Sequence, residues 1–417
     1  MGFKQRACEP SVGDTRHWWA GRLAVLIGIA ALAFNLRPPA LVIAPLLGEI
    51  RAALGIGGVG AGVLTTLPPL CFAVVSLGAP ALTARLGPHR TALLALVAIV
   101  LGQAVRVLLV APAVFFTGTA VALTGMAIGN VILPTLVRQH FPDRIGSVTG
   151  LYSLVLGIGV ALASLAAVPV ATWTGSWRWS LAVWVLTAAL AALPWLGLAR
   201  HDASRSRGPG RRISIAAVAR TRVGWVLALF FGVESIHAYA VYGWLPTIYV
   251  DAGMTDAQGG LMLALMTGIG IPLSFWVPRH VAQTRHPGRL MAALMLAGAA
   301  GFTGLLLIPT TLPWLWAVLI AVELAAFPAY LTLLGMRGGS PEATAALSGF
   351  SQAVGYLMAA TGPMAMGVLS TLTGGWTVPL LAMLTLSLPL AVLGQLAVRP
   401  HSLQDELDAG TRYRDSQ

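Results

Sequence analysis

Long apolar runs alternate with short polar breaks along the whole chain. A helix needs ~20 apolar residues to cross ~30 Å of hydrocarbon. On that measure the pattern predicts twelve membrane-spanning helices, at about 20–48, 58–83, 89–110, 112–138, 146–171, 178–199, 222–250, 258–280, 290–309, 313–337, 343–370 and 376–398. The longest break runs from Arg200 to Arg222 and carries Arg205, Arg207, Arg211, Arg212 and Arg220 around Gly208-Pro209-Gly210. It reads as the linker between two halves. The expected organisation is an N-terminal tail (1–19), a first bundle (20–199), a basic linker (200–221), a second bundle (222–398) and a C-terminal tail (399–417).

The halves repeat one another at a fixed offset of 199 residues. Arg138, Pro142, Asp143 and Gly150 correspond to Arg337, Pro341, Glu342 and Gly349. Thr172, Thr174, Gly175 and Trp177 correspond to Thr371, Thr373, Gly374 and Trp376. A six-span unit returns the chain to its starting side, so two units in tandem share one topology. The fold expectation is an all-α membrane protein: two six-helix bundles related by an axis along the membrane normal, as in the major facilitator fold, rocking around a central cavity.

Composition closes off other classes. The chain is 57% hydrophobic and 10% charged, against roughly 25% charged residues in soluble domains. Its net charge is +12, but the basic residues sit in the breaks, which argues against nucleic acid as a partner. Arg51 and Arg178 lie on one side and Arg37 and Arg106 within spans, so the other side holds 22 of the 26 basic residues. Positive loops stay cytoplasmic, which places both termini in the cytoplasm. The one lysine, Lys4, lies in the tail, so there is no P-loop. Cys8 and Cys71 build no disulfide framework. Residues Met1 to Arg16 lack a signal-peptide apolar core, so the first span is expected to be retained. Arginine-rich, lysine-poor usage suggests a GC-rich bacterial genome, hence a bacterial inner membrane.

An embedded enzyme needs clustered acids, a metal set or a nucleophile–base pair. Glu49, Asp143, Asp251, Asp256 and Glu342 form no such spacing, and no H-x-x-x-H or C-x-x-C motif occurs. No enzyme activity, metal or cofactor is expected.

Asn35-Leu36-Arg37-Pro38 in the first span, Leu64-Thr65-Thr66-Leu67-Pro68 in the second and Gly129-Asn130-Val131-Ile132-Leu133-Pro134 in the fourth resemble the cyanate and nitroimidazole permease family of the major facilitator superfamily. The resemblance is carried by the first half. Leu82, Arg85, Gly87 and Arg90 also resemble the superfamily's general loop motif, with Ala84 where Asp is usual and Pro80 for the leading Gly. The resemblance implies a single-polypeptide carrier of small anionic or planar polar solutes. By analogy with such carriers it is a monomer. Import or export stays open. A proton-driven multidrug exporter of the same fold is the alternative, and a membrane-embedded enzyme a distant one.

Ionisable residues at bilayer depth are functional candidates by default, because each costs ~3 kcal/mol or more. Arg37 lies deep in the first span. Pro38 and Pro39 after it lack amide donors and leave the carbonyls of Phe34 and Asn35 free. Pro68-Pro69 should do the same to Leu64 and Thr65 in the second span. Paired breaks near the midplane point to a transporter site, where a guanidinium can bind a planar anion bidentately. Glu234 is the repeat partner of Asn35, and His237 shares its helix face at i+3. With Glu323 they are the candidates for carrying a proton; a structural Glu234–Arg37 ion pair is the competing reading. Asn35, Asn130, Tyr242, Gln352 and Tyr356 complete the candidate substrate set with Arg37. Arg106 is expected to snorkel to the interface, Arg138 and Arg337 to cap carbonyls, and Trp18, Trp19, Trp173 and Trp177 to act as interfacial anchors.

Overall fold

The computed structural model describes residues 12–56, 58–109, 111–204 and 213–415. Among the described residues, twelve helices are long and apolar enough to span a membrane. They are α1 (Val12–Phe34), α2 (Gly58–Leu86), α3 (Pro88–Leu108), α4 (Pro112–His140), α5 (Ile145–Thr174), α6 (Trp177–Ser204), α7 (Arg222–Asp251), α8 (Asp256–Gln283), α9 (Pro287–Leu307), α10 (Pro313–Gly338), α11 (Pro341–Thr373) and α12 (Thr377–Ala397). The final helix is α13 (Leu403–Asp415). No strand occurs among the described residues.

Local chemistry sets the boundaries. Proline opens α3, α4, α9, α10 and α11, where its missing amide hydrogen has no intrahelical partner to lose. Left-handed glycines close α5 and α11, Gly175 with φ 69° and Gly374 with φ 68°. These two are repeat partners, and the likeness extends to single hydrogen bonds. Thr174 Oγ1 donates to the Val170 carbonyl at 2.6 Å and Thr373 Oγ1 to Leu369 at 2.7 Å. Thr172 and Thr371 bond back to Val168 and Gly367 at 2.8 and 2.9 Å.

The packing is also repeated. Helix α3 packs on α4 and α6, as α9 packs on α10 and α12. The bundles meet through two seams, α5 on α8 and α2 on α11. Helices α4 and α10 are the most enclosed, with 83% and 72% of their spans buried, and α8 the least, at 17%, so the former stand inside the molecule.

Glycines make the seams possible, all toward the end that carries the two termini. A Cβ on Gly150 would lie 2.5 Å from the Phe275 carbonyl oxygen, and one on Gly349 would lie 2.7 Å from that of Ser76. Gly150 pairs with Gly349 and Ser76 with Phe275 at the same offset, so the two seams are one contact used twice. Gly146 approaches Pro278 and Ala282 beside them. Arg138 Nη2 donates across the seam to the Gly339 carbonyl at 2.7 Å. Arg337 donates to Ala397 and Val398 at the end of α12 at 3.2 and 2.6 Å. Both arginines therefore cap carbonyls as expected.

Some expectations are corrected. Helix α2 runs unbroken through Pro68 and Pro69; inside a membrane protein neighbouring helices and local adjustment absorb the lost backbone bonds. Helix α10 is instead interrupted at Ala325 and α11 at Ala360. Arg106 does not snorkel: it is 1% exposed, wedged between α3 and α4, where Gly118 lets it pack. Its Nη2 donates to Gln103 at 3.5 Å, and Gln103 donates to the Trp184 carbonyl at 3.2 Å. Trp173 is 88% exposed, but Trp177 is 7% exposed and packs edge-on to Phe115. The side chains of Trp18 and Trp19 lie outside the described residues. Helix α1 starts at Val12, inside the expected tail, and α13 forms in the C-terminal tail. There Glu406 accepts from the amides of Arg222 and Val223 at 2.8 and 3.4 Å, holding α13 on the N-terminus of α7.

Candidate functional site

The α1 break builds the site. Proline disfavours helical geometry in the residue before it, and Arg37 before Pro38 has φ −128° and ψ −41°. The helix tightens as it stops, with Asn35 bonding back to Leu32 and Leu36 to Ala33. A new turn, Pro38–Leu41, starts with the amides of Ala40 and Leu41 on the Arg37 carbonyl.

Three helices hold the break. Thr187 Oγ1 on α6 donates to Asn35 Oδ1 at 2.8 Å, and Asn35 Nδ2 donates to Ala31 at 2.9 Å and Thr187 at 3.4 Å. Gly159 on α5 lies under it: a Cβ there would sit 2.6 Å from the Phe34 carbonyl oxygen. Gly129 on α4 makes room for Leu36. Asn35 is thus 1% exposed and fully engaged within its own bundle. It positions the break and does not face the cavity, contrary to the expectation.

Arg37, the break's charged residue, points between the bundles. Its Nη2 lies 3.5 Å from the Tyr356 hydroxyl on α11. The guanidinium carbon is 5.7 Å from the Phe72 ring centroid on α2 and 5.8 Å from that of Phe327 on α10, within cation–π range. Tyr356 is held edge-on by Phe72 and Phe231, each at 5.0 Å. Phe231 stacks on Tyr330 at 4.5 Å, and Tyr330 bonds Ser351 at 2.7 Å. The result is an aromatic box around one cation.

Tyr239 and Tyr242 on α7 share the electrostatic surroundings of Arg37 and Glu234. Tyr242 is 50% exposed although it lies among the helices that surround Arg37 and Glu234. A side chain enclosed by helices yet open to solvent lines a cavity. The glycine seams bring the two bundles together at the end with the termini.

The candidate acids split into two groups. Glu234 is 2% exposed, with Ser235 Oγ at 3.4 Å. It senses both Arg37 and Glu323, but it is not at ion-pair distance from Arg37. Ion pairs among the described residues include Arg22–Asp143, Arg144–Asp143 and His237–Glu323. The expected Glu234–His237 partnership is likewise replaced. His237 Nδ1 meets Glu323 Oε1 at 3.1 Å, and its Nε2 meets the Met383 carbonyl at 3.0 Å. A carbonyl only accepts, so Nε2 carries a hydrogen. The contact at Nδ1 then holds one proton, as imidazolium with carboxylate or as imidazole with carboxylic acid.

Gln352 and Asn130 lie beside the Arg37 box. Gln352 Nε2 donates to Ser348 at 2.7 Å and to the Asn130 carbonyl at 3.3 Å, tying α11 to α4. Asn130 Nδ2 is buried with no partner, an unused donor. Tyr239, Phe72 and Phe327 were missed by the sequence reading. Tyr239 repeats Tyr242 at i−3, and Phe327 lies two residues past the α10 interruption at Ala325, which Pro328 signals by freeing the Leu324 carbonyl.

Comparison with known proteins agrees with this architecture. The chain is 34% identical to the 2-nitroimidazole transporter of Escherichia coli over 384 residues, covering 92% of this chain and 97% of that one. It is 28% identical to the cyanate transport protein CynX of the same organism, covering 84% and 91%. The resemblance therefore extends well past the first half. A proton:xylose symporter of known structure has the same fold, with TM-score 0.72 at 13% identity, covering 95% of this chain and 99% of that one. The description "Major Facilitator Superfamily" fits residues 23–363. The chain is a membrane transporter that belongs to the Major Facilitator Superfamily.

Proposed function

We propose that this chain moves a small anionic or planar polar solute across a bacterial inner membrane by alternating access, as a monomer with both termini in the cytoplasm. The observation that carries the reading is Arg37: a cation at a helix break, between aromatic faces, with no carboxylate at ion-pair distance. A half-buried cation without a counter-ion is costly, and a substrate anion would relieve that cost. The flat faces of Phe72 and Phe327 and the donor of Tyr356 suit a planar group such as a nitroimidazole, or a linear anion such as cyanate. The named activities of two relatives lie in that chemical range.

Proton coupling belongs to the same proposal. The His237–Glu323 contact stores one proton, and Glu234 stands electrostatically between that pair and Arg37. An anion arriving at Arg37 alters the field at Glu234, and a proton uptake there compensates the added charge. The test is uptake into proteoliposomes under an imposed pH gradient, across cyanate, nitrate, small carboxylates and nitroimidazoles. Saturable uptake of one class that follows the gradient supports the reading. Uptake that never saturates, or that ignores the gradient for every solute, overturns it.

A further inference from the structure

A cavity that shares no residue with the Arg37 site lies on the second bundle. It is a groove of about 810 Å³ between α9 and α12, within the ~300–1,000 Å³ of ligand sites. Met295, Ser387 and the small Ala292, Ala299 and Ala391 form its floor, and Leu296, Leu388 and Val392 its walls. The walls are strongly exposed, Leu296 by 69% and Leu388 by 71%. No protein side chain fills the space between them.

Groove length matches one leaflet. From Gly288 to Ala299 the helix rises ~16 Å at 1.5 Å per residue, about half of a ~30 Å hydrocarbon core. The mouth, at the end with the termini, is polar and basic. His286 and Arg289 line it, and Arg285 is exposed beside it. Arg289 makes no ion pair among the described residues. No acidic residue occurs between Asp256 and Glu323 or between Glu342 and Asp405, so both walls are without negative charge. Gln395 Nε2 donates to the Gly288 carbonyl at 2.7 Å and pins the mouth; a Cβ on Gly288 would lie 2.6 Å from Gln395 Oε1.

We propose that this groove binds an anionic glycerophospholipid from the leaflet on the side of the termini. The headgroup phosphate sits at Arg289 and His286, and an acyl chain lies along the floor. Apolar length and basic mouth together select this occupant: an apolar solute would leave the cations unused, and a free anion would leave the groove empty.

The test measures binding to the full chain in mild detergent by native mass spectrometry and thermal unfolding. The probes are phosphatidylglycerol, phosphatidylcholine of the same acyl chains, and inorganic phosphate. Wild type is expected to prefer phosphatidylglycerol, and Arg289→Gln to lose about fivefold of that preference. Ala391→Trp, which fills the floor, is expected to weaken both lipids. Because Arg289 is exposed, Arg289→Gln tests the idea even where the tryptophan variant fails to fold. Equal binding of the two lipids, wild-type behaviour of Arg289→Gln, or a thermal shift reproduced by inorganic phosphate alone would each overturn the proposal, leaving annular lipid or a soluble-anion site.

Discussion

Arg37 and Tyr356 stand 319 residues apart in sequence, yet the Arg37 guanidinium lies 3.5 Å from the Tyr356 hydroxyl. This contact joins the broken first span of one bundle to the eleventh span of the other. A solute seated on it touches both bundles, which is what alternating access requires of a binding site. The hydroxyl also leaves one guanidinium edge free for an incoming anion.

Tyr356→Phe should therefore weaken the substrate without disturbing the fold. The ring keeps its edge contacts with Phe72 and Phe231, and only the hydroxyl is lost. A hydrogen bond to a charged partner contributes about 1.5–3 kcal/mol, so KM for uptake should rise about tenfold or more. An unchanged KM would remove Tyr356 from the site.

Glu234→Gln and Glu323→Gln test the proton path. Each keeps shape and a hydrogen-bonding carbonyl but can no longer hold the exchangeable proton. Accumulation driven by a pH gradient should fail in both, while substrate exchange without a gradient persists. If accumulation survives in both variants, the coupling lies elsewhere. If Glu323→Gln also abolishes exchange and lowers Tm, the His237–Glu323 pair is structural.

Gly150 and Gly349 should act alike, because each meets the repeat-equivalent carbonyl. Adding one methyl at either seam costs about 1–3 kcal/mol of overpacking and should favour the state in which that end opens. Spin labels on Arg85→Cys and Arg285→Cys, one in each bundle, would report a longer distance in Gly150→Ala and in Gly349→Ala. Gly78→Ala, which has open space around it, is the control and should leave the distance unchanged.

Asp143 provides a pH-dependent contact outside the membrane. Its slight burial works upward, but the hydrogen bond and charge of Arg22, 2.8 Å away, and the charge of Arg144 hold its carboxyl below the usual range. A depressed folded value means that the stabilisation is present above the unfolded value, ~3.9, and is lost as pH falls through the folded one. Half exposed as it is, the pair contributes little. Asp143→Asn should lower Tm slightly at pH 7, and the difference should shrink as pH falls below ~3.9 and vanish below the depressed folded value. A constant gap across that range would refute the assignment.

Much of this was legible in the sequence, for physical reasons that differ by residue. Spans follow from hydropathy and the repeat from register, which survives as Gly150 with Gly349 and Thr174 with Thr373. The α1 break was legible because Pro38 constrains Arg37 directly. Pro68-Pro69 carried the same signal without the same outcome, since neighbouring helices decide whether a proline interrupts or is absorbed. Asn35 and Arg106 show the other gap. Composition marks a polar residue as costly in a membrane, but which neighbour satisfies it depends on helix rotation. Thr187 takes Asn35 out of the cavity, and Gly118 lets Arg106 hide in the bundle. The aromatic box of Phe72, Phe231 and Phe327 assembles from three helices and has no local signature.

The most direct test is substrate binding to purified protein, compared among wild type, Arg37→Lys and Arg37→Ala, with thermal unfolding as the check on folding. Lysine keeps the charge but loses the planar fork that a bidentate anion and the flanking rings use. The account predicts that Arg37→Lys binds at least tenfold more weakly, that Arg37→Ala shows no saturable binding, and that both fold. Wild-type affinity in Arg37→Ala would contradict the central claim and move the site away from the α1 break.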